Sequence, residues 1–179
     1  MDLIRRSQAG DEQAFAELFH NYKNLVYKTA YLMLGDAYEA EDVLQGVFVQ
    51  VYKSLNAYDP EKGAFTTWLY RITVNRCLNW RRKRRSSVPL DRAHISLPSP
   101  EGRMEEESVW QAVRGLSEKL RAVVILRYYW ELSYAEIAQI LDIPLGTVKS
   151  RLNLALRTLR KELETEEASA KIRLSQQEV

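Results

Sequence analysis

The sequence predicts an all-α protein: two small helical domains joined by a flexible linker, the second ending in a helix-turn-helix. Three observations carry that prediction. Apolar residues recur at three- and four-residue spacing over most of the chain, with no sustained strand alternation. Pro89, Pro98 and Pro100 gather with four serines in residues 86–104, a stretch without any sustained period. Two short apolar stripes then flank Asp142-Ile143-Pro144 near the end of the chain. A length of 179 residues suits one or two such domains.

The elements follow in order. Phe15, Leu18, Phe19, Tyr22, Leu25 and Val26 mark a first helix that ends at a Gly35-Asp36 turn. Ala40, Val43, Leu44, Val47, Phe48, Val51, Tyr52 and Leu55 form a second ladder, a strongly amphipathic helix. Asn56–Gly63 collects turn formers and reads as a loop. A third helix starts near Thr66 and runs into the basic run Arg81–Arg85, with Phe65, Trp68, Leu69 and Ile72 on its buried side. The expected boundaries are therefore 1–85, a linker 86–104, a second domain 105–165 and a tail 166–179. Within the second domain, helices span Val109 to Leu116, Leu120 to about Tyr129, Tyr134–Leu141 and Leu145–Leu163, followed by a polar, frayed tail.

Composition excludes several classes. The longest apolar run, Ala122 to Leu126, is far below the roughly 20 residues of a membrane span, so no direct membrane insertion is expected. The early sequence turns polar at once, which argues against a secretory signal. Cys77 is the single cysteine, and neither His20 nor His94 stands near it, so no metal cluster and no disulfide framework is expected. The chain reads as cytoplasmic. With no phosphate loop and no plausible triad, the sequence suggests no enzyme, no cofactor and no small-molecule substrate.

Charge is segregated behind a net value of +2. Residues 1–62 hold 6 basic and 10 acidic side chains, whereas residues 63–85 hold 7 basic and no acidic ones. Residues 109–161 hold 9 basic against 4 acidic. Two basic blocks, each bordered by acidic sequence, suggest two separate polyanion-binding surfaces.

In the second block, Ser133 and Glu136 have the spacing of a capping box, and Pro144 disfavours helical geometry at Ile143. The following helix buries Val148, Leu152, Ala155, Leu159 and Leu163. That leaves Ser150, Asn153, Leu154, Arg157 and Lys161 opposite, flanked by Lys149 and Arg151, with no acid from Leu145 to Lys161. Short polar and basic side chains near a helix N-terminus suit base edges and phosphates. In the first block, Phe65, Trp68, Tyr70 and Trp80 interleave with arginines, offering stacking surfaces beside phosphate-neutralising charge. Phe65 and Trp68 fit a core more simply. Trp80, beside the basic run, is harder to place in one.

The segments AEDVLQGVFVQVY (Ala40–Tyr52), FTTWLYRITVNRCLNW (Phe65–Trp80) and LSYAEIAQILDIPLGTVKSRL (Leu132–Leu152), in this order, resemble the extracytoplasmic-function sigma factors of bacterial RNA polymerase. The resemblance implies a transcription initiation factor that binds core RNA polymerase and promoter DNA, drives a stress or envelope-response regulon, and is held by an anti-sigma factor. It assigns core docking to Asp42, Gln45, Val49 and Gln50. It assigns promoter melting to the Asn56–Phe65 loop and the helix after it, through Trp68, Arg71, Asn75, Arg76, Asn79 and Arg82. Upstream readout falls to Lys149, Ser150 and Asn153, with Thr147, Arg151 and Arg157 on phosphates. Gly46 stands where the family usually has an acidic residue, and Leu154 where many relatives carry a basic one. A stand-alone helix-turn-helix regulator, with residues 1–85 as a sensor or dimerisation domain, is the alternative. It leaves the basic-aromatic helix without a purpose.

Overall fold

The computed structural model describes the backbone of residues 2–86 and 104–177, and the side chains of residues 3–82 and 108–165. Most of the expected linker lies outside the described residues. The N-terminal half comprises α1 (Asp2–Gln8), α2 (Glu12–Leu34), α3 (Ala37–Ser54), two 3₁₀ turns (Leu55–Ala57 and Pro60–Lys62) and α4 (Phe65–Ser86). The C-terminal half comprises α5 (Met104–Gly115), α6 (Glu118–Val124) with a π-helical turn Ile125–Tyr129, α7 (Tyr134–Leu141) and α8 (Leu145–Gln177). No strand occurs among the described residues.

Local chemistry sets the helix ends. Asp11 caps α2, its carboxylate accepting from the Ala14 N–H at 3.0 Å. That bond and the Arg6 guanidinium hold its pKa below the usual carboxylate value. Gly35, at φ +79°, ends α2 in the left-handed conformation and donates to the Tyr31 carbonyl at 2.8 Å. Asp36 then caps α3 through the Glu39 N–H at 2.9 Å. The Gly35-Asp36 turn is thus a left-handed stop followed directly by a helix cap.

The amphipathic ladders meet in a core of Leu18, Val26 and Met33 from α2, Val43, Val47 and Val51 from α3, and Leu69, Val74 and Cys77 from α4. Burial pushes the Cys77 thiol up to about 12, so this thiol is inert in the folded protein. The core continues without a break into the C-terminal half through Ile125, Leu126, Ile137, Ile140, Val148 and Leu152. The two halves therefore pack against each other. At this junction Arg121 is only 2 % exposed. Its guanidinium donates to the Met33 carbonyl of α2 at 2.6 Å, and to the carbonyls of Val113, Arg114 and Leu116 on its own side. Arg81 of α4 caps the same end of α2, donating to the Leu34 carbonyl at 2.6 Å. Cations at helix C-termini satisfy orphaned carbonyls and complement the helix dipole. Desolvation, with Arg81 nearby, lowers the Arg121 pKa to about 10, which still leaves a cation at neutral pH.

Two expectations are corrected here, and one helix is added to those expected: the N-terminal segment forms α1. The Asn56–Gly63 stretch is not structureless, since the two 3₁₀ turns account for most of it. The tail after Leu163 continues α8 to Gln177 instead of fraying, because no glycine or proline follows Gly146 and the residues there are good helix formers.

Candidate polymerase and promoter surfaces

Helix α3 turns two faces to its surroundings. Val43, Val47, Phe48 and Val51 are buried, whereas Asp42, Gln45, Val49 and Gln50 are exposed together. Val49 is 54 % exposed, with exposed Tyr38 and Tyr52 on the same stripe at spacings of three and four residues. The four nominated docking residues thus share one surface, edged by Tyr38, which the sequence reading did not single out, and by Tyr52, which that reading placed in the apolar ladder and which is in fact exposed. Tyr52 packs against Phe15 of α2 with ring centroids 5.1 Å apart.

Helix α4 sorts its nominated residues onto different sides. Arg71, Asn75, Asn79 and Arg82 are exposed, and their spacing of four, four and three residues places them on one stripe. Arg76 is half-buried and points elsewhere: a Cβ built at Gly46 of α3 would overlap its guanidinium. Trp80 is half-buried and packed against the core, its indole N–H enclosed without a hydrogen-bond partner. This tryptophan belongs to the core despite its basic neighbours. The long indole reaches inward from a position whose flanking arginines lie at other angles around the helix.

Trp68 is half-buried, its ring 5.4 Å from Tyr58 and 5.6 Å from Phe65. It forms one wall of a cavity of about 360 Å³ between the 3₁₀ turns and α4. Tyr58, Asp59, Lys62 and Arg71 also line it. The loop is firmly held. Gln8 of α1 donates to the Leu55 and Tyr58 carbonyls at 2.9 and 3.1 Å, and the Tyr58 hydroxyl donates to the Gly63 carbonyl at 3.0 Å. Burial raises the Tyr58 pKa, keeping that hydroxyl a donor. Gln139 and Asp142 of the C-terminal half complete the lining, and Asp142 pairs with Arg71 at 3.4 Å. The role of α1 in fixing this loop rests on contacts some fifty residues apart, which no local pattern reveals.

In the helix-turn-helix, the Ser133 hydroxyl accepts from the Glu136 N–H at 3.2 Å while the Glu136 carboxylate accepts from the Ser133 N–H at 2.8 Å. The expected capping box is therefore present. The Ser133 hydroxyl, followed by its backbone N–H, holds the Glu136 pKa below its ordinary value. Asp142 ends α7 in the left-handed region at φ +53°, with its N–H on the Ala138 carbonyl. Helix α8 buries Val148, Leu152 and Ala155 and exposes Lys149, Ser150, Asn153, Leu154 and Arg157, while Thr147 and Arg151 are half-buried. The Ser150 hydroxyl donates to the Thr147 carbonyl at 3.0 Å, leaving its oxygen lone pairs outward. Leu154, 53 % exposed, interrupts the polar face as the sequence arithmetic anticipated. Among the described residues, no group of three or more histidine, cysteine or carboxylate side chains is placed to hold a metal ion. No described helix is long and apolar enough to cross a membrane.

Comparison with known proteins agrees with this arrangement. The Sigma-70 region 2 family model matches residues 18–87, and the model for Sigma-70, region 4, matches residues 106–159. The chain is 35% identical over 177 residues to the ECF RNA polymerase sigma factor SigW of Bacillus subtilis, covering 89% of this chain and 94% of that protein. It is 36% identical over 169 residues to the ECF RNA polymerase sigma-E factor of Escherichia coli K12, covering 84% and 86%. Among solved structures, the fold is shared with the sigma factor RpoE in complex with the anti-sigma factor NepR from Bartonella quintana. That likeness has a TM-score of 0.71 at 23% identity and covers 84% of this chain and 96% of that one. With both conserved regions matched in order and a relative of this similarity spanning nearly its whole length, the chain belongs to the sigma-70 family of bacterial RNA polymerase sigma factors, in its extracytoplasmic-function branch.

Proposed function

We propose a division of labour among three surfaces for this RNA polymerase sigma factor. The outer face of α3, through Asp42, Gln45, Val49 and Gln50, docks on core polymerase. Val49 supplies an apolar contact amid polar groups, which a solvated face does not need. The cavity beside Trp68 and the adjoining stripe of Arg71, Asn75, Asn79 and Arg82 melt the downstream promoter element and hold one strand. Unstacking a base costs a few kcal/mol, and stacking in an aromatic-walled cavity with nearby cations offsets it. Lys149, Ser150 and Asn153 read the upstream element, while Thr147, Arg151 and Arg157 hold its phosphates.

The observation that carries this reading is the joining of an aromatic-walled cavity and a basic-amide stripe to a helix-turn-helix within one chain. A stand-alone regulator needs the second surface and has no use for the first. Because Gln139 and Asp142 line the cavity, base capture goes with separation of the two halves and loss of the Arg71–Asp142 pair. An anti-sigma partner, which holds such a factor with both DNA-facing surfaces covered, follows from the family. The protein acts in the cytoplasm, where the polymerase is, on a stress or envelope-response regulon, and performs no catalysis of its own. In the same reading residues 1–85 and 105–165 are the two working domains, joined by 86–104 and followed by the tail 166–179.

The test is permanganate reactivity of promoter thymines, using purified chain, bacterial core polymerase and DNA from upstream of the protein's own gene. Reactivity only in the ternary mixture is expected. Tight duplex binding by the chain alone, together with failure to co-purify with core, would replace this reading with the regulator.

A further inference from the structure

We infer that Arg76 serves the polymerase-docking face of α3, where it receives a carboxylate of core polymerase, and does not belong with the promoter-melting residues. The inference rests on the reading that the outer face of α3 docks on the polymerase.

Gly46 lies on α3 one turn from Asp42 on one side and from Val49 and Gln50 on the other. A Cβ at that position would overlap Nη2, Cζ and Nε of Arg76, so the guanidinium fills the volume that a side chain at 46 would occupy. A cation from α4 is thereby delivered to the middle of the docking residues of α3. The stripe on α4 formed by Arg71, Asn75, Asn79 and Arg82 leaves Arg76 on a different side of that helix.

The guanidinium arrives unpaired. Its Nε is enclosed and has no hydrogen-bond partner, and no carboxylate among the described residues pairs with it. The terminal nitrogens are not enclosed in this way and reach the surface. An enclosed donor and a half-buried charge without a counter-ion are both costly. A carboxylate arriving on the terminal nitrogens supplies the missing counter-charge with charge-assisted, fork-shaped geometry, while the Nε–H stays enclosed.

Charge favours a protein carboxylate over a DNA phosphate. From Ala37 to Val51 the helix carries Glu39, Glu41 and Asp42 and no basic residue; its lysine, Lys53, stands in the last turn, two turns beyond Gly46, so Arg76 is the cation brought to the middle of this face. An acidic surface with exposed Val49 and tyrosines repels a polyanion, yet accommodates a protein surface that brings one acid to one arginine. The glycine at 46 makes the arrangement possible, since any larger side chain would displace the guanidinium.

The experiment measures affinity for purified core polymerase, without DNA, for wild type, R76Q, R76K and V49D, each first shown to be folded by urea unfolding. R76Q should bind core about tenfold more weakly, the effect of one charge-assisted pair. On a pre-melted promoter, holoenzyme assembled with saturating R76Q should behave as wild type. R76K should retain most of the affinity and, under carbodiimide, couple its amine to an Asp or Glu of the polymerase. Unchanged core binding by R76Q, alongside weakened binding by V49D, would overturn the role of Arg76 while sparing α3. Unchanged binding by both would overturn the docking reading itself. A lysine that binds core but never couples to an acid, or an R76Q defect confined to duplex opening, also sinks the inference.

Discussion

Helices α4 and α8 carry the chain's two basic blocks and use their cations differently. In α8, Lys149, Arg157 and Lys161 lie exposed along one side of a helix whose opposite stripe is buried. In α4, by contrast, Arg81 caps the carbonyl end of α2 and Arg76 fills the notch at Gly46, while Arg71 and Arg82 stay outside. The difference comes from what each helix packs against. Helix α4 runs past the C-terminal end of α2, where orphaned carbonyls concentrate partial negative charge and draw in a guanidinium. Among the described residues, the outer face of α8 meets no such end. A basic block is therefore evidence of a nucleic-acid surface only after the cations consumed inside the fold have been set aside.

The largest expected effect tests the internal use of arginine. Arg121→Met removes the guanidinium that donates to the Met33, Val113, Arg114 and Leu116 carbonyls. Orphaning several buried acceptors should cost about 3 kcal/mol in urea unfolding. A loss below about 1 kcal/mol would mean that water replaces the arginine and that the junction is not dry.

Arg81→Gln comes next. It removes one charged hydrogen bond at a part-buried helix end and should cost about 1.5 kcal/mol. Arg157→Gln is its counterpart on α8. Stability should stay within about 0.5 kcal/mol, while the salt dependence of promoter binding by holoenzyme falls by about one unit of slope. If the two substitutions gave the same pattern, the contrast between the helices would collapse.

Glu136→Ala, which opens the capping box, should cost about 1 kcal/mol at neutral pH, less than Arg81→Gln. The folded-state pKa of Glu136 is lowered, so its contribution is present above the unfolded value of 4.5 and is lost as pH falls through the folded pKa. Unfolding curves of variant and wild type should therefore converge in acid. Gly46→Ala completes the series. It replaces a helix-interior glycine, a gain of up to about 1 kcal/mol, and the displaced neighbour is the flexible end of Arg76. A variant that is slightly more stable yet binds core polymerase more weakly would show that this glycine is kept for the docking face.

Much of the fold was legible in the order of residues because it rests on local periodicity. The α3 ladder as far as Val51, the Gly35-Asp36 turn, the capping box and the Val148, Leu152 and Ala155 part of the α8 stripe each follow from side chains within a turn or two of one another, whereas Tyr52 is exposed and Leu159 and Leu163 are only half-buried. The outward positions of Asp42, Gln45, Val49, Gln50 and Asn153 follow by the same arithmetic. Trp80 and Arg76 did not yield to it. The periodicity of a helix gives the direction in which a side chain leaves, and says nothing of how far a long one reaches or which helix it meets. The anchoring of the melting loop by Gln8 was hidden for the same reason.

The sequence by itself determined an all-α chain, the positions of its main helices and the two helices on which basic charge is concentrated. Those properties depend on interactions over a few residues, where helix geometry is nearly invariant. Tertiary structure alone decided that Arg121 joins the two halves through the Met33 carbonyl, that Asp142 lines the cavity beside Trp68, and that Gly46 makes room for Arg76. Each of those contacts joins residues at least 30 positions apart. Long, flexible side chains carry most of them, and their partners are chosen by how the helices pack.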